Sequence, residues 1–206
     1  MENKETFDIA RPVELQLRSA EGLKTVKVRF PSDEEWTQRQ RRRKVIIKQL
    51  GRGASETTIP AGEKVDEDLL KKIRTDEGPE LDAFEAQKIV EELSSADVDD
   101  VEPASEGFRV SLRVPGGVTA IVASIPSAKD VFDYRRSFAR IVDMPFGKQE
   151  LTVNLNAAST LFEKIVKGTE GYAGGKVPIV HQTVAVKAVL EALDAGLHSE
   201  DKPESF

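Results

Sequence analysis

One pattern limits what this chain can fold into more than any other, and it occurs twice. Apolar residues alternate, a glycine-bearing turn follows, the alternation resumes, and the stretch ends in Pro-Ser and a run of charge. In the first copy Val13, Leu15 and Leu17 alternate with polar residues, AEG turns, and Val26, Val28 and Phe30 follow. In the second, Phe108, Val110 and Leu112 alternate, PGG turns, and Ile121, Ala123 and Ile125 keep the same parity. Successive side chains of a strand point to opposite faces, so period two on both sides of a turn predicts a β-hairpin with one buried face. Pro31 and Pro126 end the hairpins, because proline offers a central ladder no N–H.

Sliding the sequence on itself by 95 residues lays Val13–Ile46 over Phe108–Ile141 without a gap. Leu17/Leu112, Arg18/Arg113, Gly22/Gly117, Pro31/Pro126, Ser32/Ser127, Arg41/Arg136 and Ile46/Ile141 are identical pairs. After each proline a helix start is predicted: Ser32 and Ser127 can accept from first-turn N–H groups, with Glu35 and Asp130 placed three residues on as in a capping box. The helices are predicted from about Asp33 to Leu50 and from about Ala128 to Val142. Trp36, Val45, Ile46 and Ile47 would face inward in one, and Val131, Phe132, Phe138 and Ile141 in the other.

Farther on, Leu69, Leu70 and Ile73 mark a short helix matching one with Leu161, Phe162 and Ile165. Phe84–Leu93 and Val184–Leu193 mark a last helix in each half, preceded by Pro79 and Pro178. The fold class read from this order is α+β, two tandem similar units, each a β-hairpin followed by about three helices. Residues 9–93 form the first unit and 108–195 the second. Residues 94–107, acidic and poor in large apolar side chains, read as a solvated linker. The polar stretch Gly51–Lys64 reads as a mobile loop, and residues 1–8 and 196–206 as disordered ends.

Composition narrows the chemistry. Among 206 residues there is no Cys, which removes disulfides, thiolate metal sites and Cys nucleophiles together. His181 and His198 are the only imidazoles, so a zinc site is not expected, nor any cofactor. No apolar run is long enough for a membrane span, and MENKETFD is too polar for a signal peptide, so a cytoplasmic location is expected. The net charge of -6 opposes broad electrostatic capture of nucleic acid.

Four stretches invite a functional reading. RQRRRK, from Arg39 to Lys44, would bring Arg39, Arg42 and Arg43 to one helix face beside Lys44. It is read as a solvated, self-paired helix, as a dock for an acidic partner protein, or as a nucleic-acid contact. GRG at Gly51–Gly53 lacks the Lys-Ser/Thr of a phosphate loop and reads as a helix cap. His181 shares its unit with Ser159, Asp143 and Glu170, but no nucleophile-elbow motif is present, and packing is the preferred role. Tyr172, inside GYAGG, is either a packing anchor or a partner-contacting tip.

The segments VRFPSDEEW and VASIPSAKDVFDY resemble the start of small tail assembly chaperones of tailed bacteriophages and prophages: a strand, Pro-Ser, then a spaced acid opening a helix. The resemblance implies a non-catalytic factor of the bacterial host cytoplasm that binds other tail proteins, the tape-measure protein or tail-tube subunits. The partner-binding candidates are Arg39, Arg42, Arg43, Lys44 and Tyr172, and self-association is the other partnership considered. Two alternatives stay open, a virion structural or connector component and a nucleic-acid-binding regulator using residues 39–44.

Overall fold

The structure, a computed structural model, describes residues 6–19, 22–51, 54–59, 62–115 and 117–196. It is mixed α/β, with six α-helices and three sheets among the described residues.

Both predicted hairpins form. β1 (Val13–Ser19) pairs antiparallel with β2 (Gly22–Val28). Past three strands described below, β6 (Gly107–Val114) pairs with β7 (Gly117–Ser124). The returning strands open on Gly22 and Gly117 at φ of +123° and +148°, where a side chain would be strained. Leu15, Leu17, Val26 and Val28 are buried from one hairpin, and Phe108, Val110, Leu112, Ile121 and Ala123 from the other. Ile125, expected inward with them, is 49% exposed.

Each hairpin leads to a capped helix that is shorter than predicted. α1 (Asp33–Arg42) opens on a complete capping box between Ser32 and Glu35. α4 (Ala128–Phe138) is capped by Ser127, whose hydroxyl oxygen accepts from the Asp130 N–H, while the Asp130 carboxylate accepts from that hydroxyl and pairs with Lys164, both at 2.6 Å. The expected continuation to Leu50 and Val142 is strand instead: β3 (Val45–Gly51) after α1 and β8 (Ala139–Met144) after α4. Val45-Ile46-Ile47 and Ile141-Val142 are β-branched, stiff at χ1 and favourable on a pleated surface, and this overrides the helical spacing. Phe132 and Ile141, expected inward, are 63% and 59% exposed.

β4 (Ala54–Thr58) returns beside β3, where a mobile loop was expected, and β9 (Lys148–Val153) returns beside β8. β3 also pairs with β9, from Val45↔Leu151 to Lys48↔Lys148, giving a sheet ordered β4-β3-β9-β8 that joins the two halves. Of the GRG stretch, Gly51 ends β3 and not a helix, while Arg52 and Gly53 lie outside the described residues.

The remaining helices sit where apolar spacing put them: α2 (Gly62–Ile73), α3 (Ala83–Ser94), α5 (Leu155–Ile165) and α6 (Ile179–Asp194). The stretch expected as an acidic linker is strand β5 (Asp97–Ala104), solvent-facing but hydrogen-bonded along β6. With β10 (Val166–Glu170) it completes a sheet ordered β10-β7-β6-β5. Side chains from both halves, Trp36, Ile73 and Leu93 with Phe108, Ile121 and Val186, belong to one continuous core. The expected disorder of residues 1–5 and 197–206 lies outside the described residues, but Phe7 does not fit it: only 6% exposed, it is hydrogen-bonded on both sides of Tyr172.

Candidate partner-binding surface

Four of the five cations of the basic run, all but Arg41, meet carboxylates of the same chain. Arg39 points inward from α1 and meets Asp66 of α2 through two bonds, Nε to Oδ1 at 2.5 Å and Nη2 to Oδ2 at 3.2 Å, with both side chains buried. Its guanidinium also lies 5.5 Å from the Trp36 ring centroid. Arg42 reaches Asp68 of α2 at 2.7 Å and holds that carboxyl below its usual range; Arg43 reaches Glu91 of α3 at 3.2 Å. Lys44 reaches Glu150 of β9 at 3.0 Å. The run thus tacks α1 to three neighbours, and Arg39 is spent inside. At the other end of α1 Arg29 grips Glu35 with two bonds of 2.8 and 2.6 Å, which with the Ser32 cap drives that carboxyl down to about 2.

Tyr172 is a packing anchor and not an exposed tip. Its ring is 6% exposed, its hydroxyl accepts from Thr119 Oγ1 at 3.0 Å, and burial pushes it up to about 12. The same hydroxyl lies 3.3 Å from Nδ1 of His181, which is fully buried, and Phe7 and Phe30 pack their rings against that imidazole at 5.1 and 5.6 Å. Nε2 of His181 meets no partner, and burial pushes the ring down to about 4, so it stays neutral. The three polar residues considered with His181 are engaged elsewhere: Glu170 pairs with Arg109, Asp143 accepts from Gln149, and Ser159 lines a groove beside Asp33 and Thr37.

The surface that sequence reasoning missed is the sheet β4-β3-β9-β8. Alternation along its ladders puts Val45, Ile47, Ile141 and Leu151 on one face and Lys48, Glu56, Arg140, Val142, Met144, Lys148 and Glu150 on the other. Val45, Ile47 and Leu151 are only half-buried and stand outside the continuous core. All six side chains of β8 are exposed, among them Val142 (40%) and Met144 (37%). The turn after β8 carries Phe146, 93% exposed and held at φ +65°. A non-glycine residue there costs about 1 kcal/mol or more, and no burial of the ring offsets it. Excess β-branching in RIVDM and an aromatic next to Gly147 were the available signals; the first was taken up into a helix expected to run to about Val142, and the second lay beyond it.

Other sites are poorer. A groove of about 220 Å³ between α4 and α5 is lined by Asp130, Tyr134, Asn154, Thr160 and Lys164, but its lysine is already paired with Asp130. Among the described residues no cluster of His, Asp and Glu is arranged to hold a metal ion, and no helix is long and apolar enough to cross a membrane. No protein-family description, curated protein or solved structure matches this chain significantly.

Proposed function

We propose that this protein is a non-enzymatic assembly factor that binds other polypeptides, of the kind its resemblance to tail assembly chaperones implies. Its working surface is the apolar face and tip of the sheet β4-β3-β9-β8. The observation that carries the reading is Phe146, an almost fully exposed ring kept in a strained backbone conformation at the end of a strand whose every side chain faces solvent. Strain without packing suits a residue whose contact is made elsewhere. An amphipathic segment of a tape-measure protein would lay its apolar stripe along Ile47, Leu151 and Ile141 and cover Phe146. The bacterial cytoplasm is the compartment this function requires.

The chain is further read as two copies of one module, a hairpin, a helix, a second hairpin and two helices. Support comes from the shift of 95 residues: moved by it, β1, β2, α1, β3, β4, α2 and α3 each overlap β6, β7, α4, β8, β9, α5 and α6. The two open edges of the joining sheet favour a second reading, a component that stays in the particle.

The test is to determine which genes flank this one and to coexpress the chain with any tape-measure protein found there. The soluble fraction of that protein should rise several-fold with the wild type and fall back with Leu151→Asp or Phe146→Ser. Flanking genes unrelated to tails, with no effect on the solubility of any neighbour's product, would end the proposal.

A further inference from the structure

We infer that copies of this chain join head to tail through their sheets, β8 of one pairing with β4 of the next, in the register that sets Arg140 opposite Glu56. The inference rests on the two-module reading, and the sheet itself supplies the argument. Its four strands are two hairpins side by side in the same orientation, β4-β3 and β9-β8, joined where β3 meets β9 with Val45 opposite Leu151. That junction pairs the first strand of one module's second hairpin with the second strand of the other's.

The same two kinds of strand are left open at the ends. Among the described residues β8, the counterpart of β3, pairs only with β9, and β4, the counterpart of β9, pairs only with β3. A further hairpin added beyond β8 in the existing orientation would present β4 antiparallel to it. Carrying the Val45↔Leu151 pair across by the shift of 95 residues gives Arg140↔Glu56. The register that repeats the internal junction therefore pairs a cation with an anion on the same face of the sheet. Both side chains are exposed, and among the described residues neither has an ion-pair partner within the chain. It also sets Thr57 opposite Ala139 and Ser55 opposite Ile141.

Pairing β8 with a second β8 does worse. A two-fold axis through such a pair requires a residue to face itself, so Ile141 or Val142 sits at the centre. Asp143 then stands opposite Ala139 or Ile141, and Arg140 finds no acid across the strand. The protections β8 carries as an exposed edge are the charges of Arg140 and Asp143, and the head-to-tail register neutralises the first of them. A head-to-tail contact leaves one β8 and one β4 free at the ends, so it closes into a ring or extends as a filament.

The test is light-scattering mass across a concentration series of the purified chain without any client. Species larger than a dimer are expected, either a discrete ring or a growing series. Arg140→Glu and Glu56→Arg should each weaken association about tenfold, as expected when an attractive cross-strand pair becomes a repulsive one. The chain carrying both changes should recover most of it. Because the native chain has no cysteine, a mixture of Ser55→Cys and Ile141→Cys single variants reports register directly, and the expected product is the disulfide between unlike chains. A monomer at every concentration overturns the inference. So does crosslinking only between two Ile141→Cys chains with Glu56→Arg silent, which would mean β8 pairs with itself. A monomer that still keeps a tape-measure protein soluble overturns self-assembly alone and leaves the binding function standing.

Discussion

Asp33, the first residue of α1, accepts a hydrogen bond from the backbone N–H of Ile179, the first residue of α6, at 2.9 Å. The residue before α6 is Pro178, which has no side chain able to cap, so a carboxylate from the other half of the chain satisfies that helix end. It also places negative charge at the positive pole of α6. Asp33→Ala should lower unfolding stability by about 1 kcal/mol, and Asp33→Asn by less, measured by chemical denaturation. Equal stability in all three would show that the contact contributes nothing.

The buried pair Arg39–Asp66 makes a sharper prediction. Asp66→Asn strands a guanidinium away from water and should cost about 3 kcal/mol. Replacing both partners with apolar residues, Arg39→Met with Asp66→Leu, should cost much less, because no charge is left uncompensated. If the double replacement is as damaging as the single one, the pair is required for something other than neutralisation.

Acid should loosen the fold in two stages. His181 is held neutral to about pH 4, whereas in the unfolded chain it takes a proton near its ordinary value of 6.5. The unfolded state thus binds more protons between these values, so stability is full above pH 6.5 and falls through pH 4, by up to about 3 kcal/mol. Below pH 4.5 the Glu35 carboxylate adds a second loss that continues to about pH 2. Equilibrium unfolding of His181→Phe should be nearly flat from pH 7 to pH 5, and a wild-type slope retained in that variant would refute the assignment.

Phe146→Asn should raise stability by about 1 kcal/mol, because asparagine tolerates the left-handed backbone that phenylalanine resists. The same change should abolish binding of the client. A variant both more stable and fully competent would show that the ring is not a contact.

What could be read in advance follows from how local each determinant is. Ser32 and Glu35 act over one turn, and the alternation of Val26 and Val28 needs only a neighbouring strand, so the caps and hairpins were legible. The change to strand at Val45 was not. Helical spacing continues through Ile46 and Ile47, and what stops the helix is a ladder to Leu151, more than a hundred residues away in sequence. Asp97–Ala104 misled for a similar reason: its acids suit solvent, but the backbone is claimed by β6, a bond the side chains do not advertise. The basic run left three readings open, and only the fold shows which carboxylates receive Arg39, Arg42, Arg43 and Lys44.

Phe7 has its ring against Tyr172 and His181 and its backbone bonded to Gly171 and Ala173. During translation it leaves the ribosome long before any of those four. The opening segment must therefore travel unseated while most of the molecule is made, and it locks only when α6 emerges. Synthesis that stalls before α6 would release a chain with its aromatic box open, a natural target for the cell's quality-control proteases.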